Sequence, residues 1–440
     1  MAQLLNATLP ANAAAVRLNT TCVGYTDAVT LQAKLDSARL GEVIVICSDI
    51  EVNVTLAVSE AVTIVGANTT TGRPCKIYRS PSTTYLELFE IADLVGPVVF
   101  QNLELSDGYG SLYGGAVQVG DEAVASFINV AFTNNYALYY GGAVYTGGNT
   151  TFLGCVFVNN TAESAGGAVY QHNPSGGETL TVLTVKDSLF YASTAGSSGG
   201  AIFLPDVGNF VLVTDSVFAE SEATEEGGAI YVPSGSNATI IYNHFINGTS
   251  AIGGAAVYMH GCGLFADNLF ENNHAPRGGA VHTYGSASTS FCGGDTFTAN
   301  LAQAQSLGDN VYVESEFTND VTIVTSFCPA IPVGMVNRRR PFDAYVNTSC
   351  VDCNPSLICD KNATGILTPR GVNCTCNAGF YGSGYACYPL GYNARTFFNL
   401  TATLNATVTN IIANLTRSTT ASNRTSVNVT ALIAGVVMTP

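Results

Sequence analysis

The stretch Gly114-Gly115-Ala116-Val117 opens a phrase that the chain repeats at intervals of roughly 25 to 33 residues. Six further copies, two with Ile in place of Val and one with an extra Ala, begin at Gly141, Gly166, Gly199, Gly227, Gly253 and Gly278. A degenerate eighth copy of the motif reads Gly308-Asp309-Asn310-Val311. Self-similarity on this scale is typical of stacked repeats, so the phrase predicts a solenoid and not a single globular core.

A second motif precedes most copies of the Gly pair at a nearly constant distance. A Phe stands eight or nine residues ahead of the Gly pair, at Phe132, Phe157, Phe190, Phe218, Phe245 and Phe270. An Asn often follows three residues after the Phe position, at Asn135, Asn160, Asn273 and Asn300. Equivalent residues of a stacked solenoid recur about 4.8 Å apart. We therefore expect a stack of Phe rings in the core and a ladder of hydrogen-bonded Asn amides at a turn.

The repeat units predict short strands. Each unit has two apolar runs of three to five residues, such as Thr151-Phe152-Leu153 and Ala168-Val169-Tyr170, separated by small and polar residues. Residues 114–315 show no helical periodicity, and runs of this length and spacing fit the coils of a parallel β-solenoid. The Gly pair suits a corner that needs a positive φ or a close backbone approach.

The two linked motifs resemble the repeats of the chlamydial polymorphic outer-membrane proteins. They are also similar to the pectin-lyase-like β-helices of surface proteins from algae and other protists. The resemblance covers about residues 99–315. It implies an all-β chain folded as a right-handed parallel β-helix, and families of this kind are mostly adhesins and surface proteins.

The chain divides into five predicted parts. Residues 1–40 form an arm and a capping helix, 41–336 the β-helix, 337–349 a linker, 350–390 a cysteine-rich module and 391–440 a tail. The helix is expected over residues 26–39, where Thr26 or Asp27 can cap it and Gly41 can stop it. A helix at this place resembles the cap of pectin-lyase-like β-helices, which covers the apolar end of the first coil.

Thirteen cysteines indicate an oxidising compartment. We expect one pair among the first three, and Cys155 stands alone as a buried apolar residue. The end of the module, Cys374-Thr375-Cys376 to Cys387, resembles the second half of an EGF-like domain. The disulfide candidates are Cys22, Cys47, Cys75, Cys262, Cys292, Cys328, Cys350, Cys353, Cys359, Cys374, Cys376 and Cys387.

Charge and sequons narrow the possible partners. The net charge is −16, from 16 basic and 32 acidic residues, which argues against nucleic acid or an anionic membrane as partner. Together the sequons and cysteines indicate a secreted or surface protein of a eukaryote. The N-glycosylation candidates are Asn6, Asn19, Asn53, Asn68, Asn149, Asn159, Asn237, Asn247, Asn347, Asn362, Asn373, Asn399, Asn405, Asn414, Asn423 and Asn428.

The tail after Asn393 is rich in Thr, Asn and Ala with alternating Leu, Val and Ile. It fits a glycosylated stalk, an extended pair of strands or a segment packed along the rod, and we expect a poorly ordered glycosylated tail. Neither a secretory signal nor a transmembrane stretch is evident, so the sequence is interpreted as a mature or partial product.

The sequence predicts no catalytic, cofactor or metal site. Glycoside hydrolysis needs two carboxylates at a controlled separation, and the paired acidic motifs of β-helix hydrolases do not occur. Asp187, Asp215, Asp267 and Asp295 recur shortly before the Phe position and are interpreted as turn residues. We expect a non-enzymatic surface glycoprotein that acts in adhesion or assembles, with itself or other surface glycoproteins, into a coat or filament. The alternative is a lectin, lyase or glycosidase that binds glycans beside exposed tyrosines.

Overall fold

The chain folds as a parallel β-solenoid, seen here in a computed structural model. The structure describes residues 24–67, 73–174, 180–205, 207–284, 288–292, 294–303, 308–314, 324–327, 336–338, 345–347, 359–360, 362–368, 371–382 and 387–389. The predicted N-terminal arm and the tail 391–440 lie outside these ranges. The all-β, β-helical fold class predicted from the repeats is confirmed.

Each full coil passes through four sheets in turn, and every neighbouring pair of strands in them is parallel. Sheet 1 has twelve strands: Glu42–Ile46, Val62–Gly66, Val98–Gln101, Val124–Ile128, Asn149–Leu153, Thr181–Lys186, Asn209–Thr214, Asn237–Ile241, Cys262–Ala266, Ser288–Phe291, Val324–Phe327 and Tyr345–Asn347. Sheet 2 has ten: Ile50–Val52, Cys75–Arg79, Leu103–Ser106, Ala131–Thr133, Val156–Val158, Leu189–Tyr191, Val217–Ala219, His244–Ile246, Leu269–Glu271 and Thr296–Thr298.

The other two sheets complete the coil. Sheet 3 consists of eight two-residue strands: Tyr109–Gly110, Tyr136–Ala137, Thr161–Ala162, Thr194–Ala195, Glu222–Ala223, Thr249–Ser250, His274–Ala275 and Leu301–Ala302. Sheet 4 has eleven strands: Leu56–Val58, Phe89–Ile91, Val117–Val119, Val144–Thr146, Val169–Gln171, Ile202–Phe203, Ile230–Val232, Val257–Met259, Val281–Tyr284, Val311–Glu314 and Val336–Arg338. Twelve levels of sheet 1 at about 4.8 Å each make a rod about 53 Å long.

The interior of the rod is one continuous apolar core. Phe132 in sheet 2 and Val117 in sheet 4 face inward and are fully buried, as are their equivalents in the neighbouring coils. In sheet 1 the inward column runs from Phe100 through Phe127 to Phe152, with ring centroids 5.1 Å apart. No coil could bury these side chains alone, so stability depends on stacking.

The Gly pair makes the corner that leads into sheet 4. Its first Gly has a positive φ, such as +66° at Gly141. A Cβ on its second Gly would strike the next coil, since at Gly142 it would lie 2.1 Å from the carbonyl oxygen of Gly167. In the sixth copy Gly254, not Gly253, has the positive φ, so the corner begins one residue later than the sequence motif suggested.

A short helix, Ala28–Asp36, caps the first coil. Its N-cap is Asp27, whose side chain accepts a hydrogen bond of 2.9 Å from the Thr30 amide. Leu31 and Leu35 are buried in the core. The helix is shorter than the predicted range 26–39, because Ser37 ends it before Gly41 is reached.

The C-terminal part contributes further strands. Val336–Arg338 pairs with Val311–Val313, and Tyr345–Asn347 pairs with Val324–Ser326, so the coils continue into the predicted linker 337–349. The cysteine-rich module contains two antiparallel hairpins, Ala363–Thr368 with Gly371–Cys376 and Phe380–Gly382 with Cys387–Pro389.

Candidate functional site

The corner that follows sheet 2 is built by an amide ladder. Asn135 accepts a hydrogen bond from the Gly108 amide of the preceding coil at 3.0 Å and donates to the Leu105 carbonyl at 3.1 Å. Its own backbone amide donates to the side-chain oxygen of Asn160 at 3.1 Å. The pattern recurs where the Gly248 amide donates to Asn273 and the Asn273 amide donates to Asn300. These amides are therefore occupied in joining coils.

The Phe column beside this ladder is a continuous stack. Ring centroids from Phe132 to Phe297 are 4.3 to 5.1 Å apart, and neighbouring rings are within 11° of parallel. Phe297 extends the stack, because the register of sheet 2 pairs it with Phe270. It stands further ahead of the following Gly corner in sequence than the other Phe residues do.

A second ladder, which the sequence motifs did not reveal, occupies the corner between sheets 1 and 2. It consists of Ser188, Ser216, Asn243, Asn268 and Asp295, one on each successive coil. Each backbone amide donates to the side-chain oxygen of the next member, at 2.9 to 3.1 Å. The signal in the sequence was a polar residue directly after the corner residue of each of these coils, which is an Asp in three of the five. In the first coils Leu103, Val130 and Cys155 hold this place and obscure the signal.

Asp295 therefore differs from the other recurrent aspartates. Asp187, Asp215 and Asp267 have φ values of 49 to 54° at the corner itself, where a short polar side chain tolerates the left-handed conformation. Gly294 takes that corner in the last coil, and Asp295 is displaced into the ladder, where its Oδ2 atom is buried although the residue as a whole is partly exposed. Burial raises the pKa of Asp295 to about 8, which makes it the most perturbed carboxyl described.

A column of aromatic side chains lies on the outer face of sheet 4. Tyr145, Tyr170, Phe203, Tyr231 and Tyr258 occupy aligned positions of successive strands, with ring centroids 4.7 to 5.4 Å apart. The rings cover one another's faces and turn their edges outward. A sugar ring packs on the face of an aromatic ring. Along most of its length, this stack exposes ring edges and hydroxyl groups instead of ring faces.

Acidic groups flank the aromatic column. Glu225 is exposed and Glu226 half-buried beside Tyr231, and burial together with these two carboxylates raises the pKa of Tyr231 to about 12. Burial, with Glu226 among the neighbouring charges, also raises the pKa of Tyr258. Both phenols therefore stay protonated well above neutral pH.

Two buried His–Glu contacts join adjacent coils. His244 Nε2 lies 3.3 Å from Glu271 Oε2, and His282 Nε2 lies 3.3 Å from Glu314 Oε2. Desolvation by burial lowers the pKa of His282 despite the nearby carboxylate. Within the described ranges, no three His, Cys, Asp or Glu side chains come together as ligands for a metal ion.

The disulfide candidates separate into three groups. Cys359–Cys374 and Cys376–Cys387 are bonded in the module, and Cys47 and Cys292 are also disulfide-bonded. The thiols of Cys75 and Cys262 are free, so the prediction that these two cysteines form disulfides is wrong. Cys155, which was expected to stand alone, is also free. Cys22, Cys328, Cys350 and Cys353 lie outside the described residues.

Register explains why Cys262 cannot pair with Cys292. Cys262 begins a strand of sheet 1, whereas Cys292 follows the next strand and aligns with its far end. The two cysteines are therefore offset along the strand direction by four residues, or about 13 Å, which exceeds the Cα separation of about 7 Å that a disulfide allows. Cys75 is buried, and its thiol donates to the Ala67 carbonyl at 2.8 Å.

The sequons of the solenoid face solvent. Asn53, Asn149, Asn159, Asn237 and Asn247 are all exposed, and Asn362 in the module is partly exposed. Asn347 and Asn373 lie in strands whose side chains are not described. The remaining sequons, Asn6, Asn19, Asn68, Asn399, Asn405, Asn414, Asn423 and Asn428, fall outside the described residues.

The cysteine-rich module packs on the side of the rod. The Cys359–Cys374 disulfide contacts a cluster formed by Ile241, Ala266 and Cys292 at the end of sheet 1. Lys186 Nζ lies 3.5 Å from Asp360 Oδ2, and the Asp360 side chain is only 7% exposed. The module is thus attached to the coils through both apolar contacts and a charge pair.

One comparison with known protein families bears on the fold class. A family model described as "right handed beta helix region" matches residues 114–297. The match agrees with the fold, which is a right-handed parallel β-helix over these residues. No curated protein sequence matches it significantly.

One similar solved structure is the crystal structure of tailspike protein 3 of bacteriophage CBA120. The TM-score is 0.34 and the sequence identity 15%, over 75% of this chain and 60% of the tailspike chain. The match thus spans less than two thirds of the tailspike. No helix among the described residues is long and apolar enough to cross a membrane.

Proposed function

We propose that the protein is a non-enzymatic extracellular or cell-surface glycoprotein whose β-helix serves as a rigid scaffold. The main support for this proposal is that the recurrent polar side chains form hydrogen bonds between neighbouring coils. Asn135, Asn160, Asn243 and Asn268 each bond a neighbouring coil through their side chains, and Phe rings stack without interruption beneath them. Such ladders resist bending and slipping between coils.

The exposed sequons support the glycoprotein part of the proposal. Asn149 and Asn237 stand in one column at the start of sheet 1, and Asn159 and Asn247 stand in one column at the corner after sheet 2. Glycans on these residues would project from two lines along the rod. The faces between those lines would remain available for adhesion or for assembly into a coat or filament.

Electron microscopy of the native extract, combined with glycopeptide mass spectrometry, tests the proposal. We expect rods of about 53 Å, singly or in regular filaments, with glycans on Asn149, Asn159, Asn237 and Asn247. Unmodified sequons in the native protein would contradict the extracellular assignment. Filaments would identify a structural subunit, and single rods an adhesin or receptor ectodomain.

A carbohydrate-binding function is the second candidate, and the aromatic column on sheet 4 favours it. Tyr139, beside that column, is 50% exposed and tilted 57° from Tyr140, so its face is open to a sugar ring. A glycan array and a polysaccharide turnover assay separate the two candidates. Binding lost in Tyr139→Ala would support a lectin, and turnover of any glycan would contradict the non-enzymatic proposal.

A further inference from the structure

The rod changes its cross-section between the first and second coils, on the side of sheet 3. In the first coil, residues 53–55 join sheet 2 directly to sheet 4, whereas the longer segment 80–88 joins them in the second coil. Leu86 of this segment pairs antiparallel with Tyr109 in the first strand of sheet 3, through backbone hydrogen bonds of 2.7 and 2.9 Å. The first coil has no equivalent of the segment, so Tyr85 lies at a step in the rod and is 49% exposed.

Three tyrosines at this step form a cluster with open ring faces. The ring centroids of Tyr85 and Tyr109 are 4.9 Å apart at 75°, and those of Tyr109 and Tyr136 are 4.7 Å apart at 73°. Each of these edge-to-face contacts covers one ring face, whereas each parallel contact in the column on sheet 4 covers two. Tyr85 is exposed, and Tyr109 and Tyr136 are partly exposed. The cluster therefore presents ring faces, which are the surface on which a sugar ring packs.

Arg79 lies beside this cluster in a fixed orientation. Its Nε donates to the Asp107 carbonyl at 2.8 Å, and its Nη1 donates to the carbonyls of Ser80 and Thr83. Its Cζ lies over the Tyr109 ring, 5.8 Å from the centroid. Among the described residues Nη2 has no hydrogen-bond partner, and Arg79 is partly exposed. The two N–H groups of Nη2 are therefore available to a bound anion.

Arg79 also has no carboxylate partner within the ranges that the structure describes. The Asp107 carboxylate pairs with Lys76 Nζ at 3.0 Å and accepts from the Ser106 hydroxyl at 2.9 Å. The other partly exposed lysines and arginines of the described chain each pair with a carboxylate, and they are Lys34, Arg73, Lys76, Lys186 and Arg277. In a chain of net charge −16, a fixed guanidinium without a carboxylate partner is suited to an external anion.

The opposite end of the cluster is acidic. The Tyr136 hydroxyl donates to the carboxylate of Glu163, which is exposed. A carboxylate accepts hydrogen bonds from sugar hydroxyl groups but repels a second anion. The cluster therefore fits a glycan with one isolated anionic group. A nucleic acid, with a phosphate on every residue, would be repelled by Glu163 and by the net charge of the chain.

We propose that Arg79, Tyr85, Tyr109 and Tyr136 bind a glycan that carries one anionic group, either a carboxylate or a sulfate ester. Sugar rings pack on the open tyrosine faces, the anionic group bonds to Arg79 Nη2, and sugar hydroxyl groups donate to Glu163. The three tyrosines lie on successive coils and span about 10 Å, so the site takes a short oligosaccharide. This inference rests on the adhesive role proposed above and names the ligand.

The test measures binding of the full chain to lactose, lactose sulfate and sialyllactose, each displayed on the same polymer, by biolayer interferometry. The wild type should bind both anionic forms about tenfold more tightly than lactose, and the difference should shrink at high salt. Arg79→Gln should remove this difference and leave lactose binding unchanged, and the retained lactose binding shows that the variant is folded. Tyr85→Ala should weaken the binding of all three forms about tenfold.

Two matched variants serve as controls and should bind as the wild type does. Arg73→Gln removes an arginine of the same coil that is already paired with Asp49, and Tyr139→Ala removes a tyrosine that is 50% exposed beside sheet 4. Equal affinity for the three forms, or no binding of the anionic forms, would overturn the proposal. A loss in Tyr139→Ala without a loss in Tyr85→Ala would also overturn it, because the glycan would then lie on sheet 4. Rods with occupied sequons would still support the scaffold function in each of these cases.

Discussion

Asp295 shows how much depends on one residue in a ladder. Asn268 donates to the Ile240 carbonyl and accepts from Asn243, so an amide satisfies both neighbours. Asp295 accepts from Asn268 at 2.9 Å, but its other oxygen is buried without a hydrogen bond. A proton on that oxygen supplies the donor that an Asn would supply, which agrees with the raised pKa of about 8.

Asp295→Asn is therefore expected to stabilise the protein at high pH. The folded-state pKa of about 8 exceeds the ordinary value of 3.8, so the wild type loses stability as pH rises from about 4 through 8. The variant should unfold at higher denaturant at pH 8, by on the order of 1–3 kcal/mol, and match the wild type near pH 4. Ser188→Ala, in the same ladder, is the control, because it removes ladder hydrogen bonds and no titratable group, so its effect on stability should be the same at both pH values. A variant with wild-type pH dependence would show that Asp295 is ionised when folded.

The Phe stack is the element that holds successive coils in register. Phe190 lies 4.3 Å from Phe157 and 4.7 Å from Phe218 by ring centroid, and all three are buried. A missing ring leaves a void in the close-packed core and removes stacking from both neighbours.

Phe190→Ala should lower the free energy of unfolding by about 3–5 kcal/mol in urea denaturation. Phe190→Leu should cost much less, about 1 kcal/mol, because Leu105 fills the same column in the first regular coil. Phe203→Ala, in the half-buried outer column of sheet 4, is the second control and should have the smaller effect. Equal losses for Phe190→Ala and Phe203→Ala would contradict a core role for the stack.

At the scale of the whole molecule, the module and the rod form one structure. Asp360 and Lys186 are 174 residues apart in sequence, yet their charged atoms are 3.5 Å apart. The Asp360 side chain is nearly buried, so a like charge there leaves an unpaired charge at the interface.

Asp360→Lys should detach the module, because two cations would then face each other. Hydrogen exchange in the hairpin of Ala363–Thr368 and Gly371–Cys376 should rise about fivefold, or about 1 kcal/mol. Combining it with Lys186→Asp restores opposite charges and should recover most of the protection. Failure of the double variant to recover it would show that the apolar contacts at Ile241 carry the docking alone.

The sequence by itself determined the β-helix, because the Gly corners and the Phe positions recur with a period that only stacked coils satisfy. Residues in one column have one environment, so local spacing was sufficient to place Asn135 and Asn160 together. The tertiary structure decided the rest, for two physical reasons. Register assigned Asp295 to a buried ladder and separated Cys262 from Cys292, and a shift of one residue reverses a side chain's environment. The docking of Asp360 on Lys186 arises from a contact between distant segments, which no periodic pattern encodes.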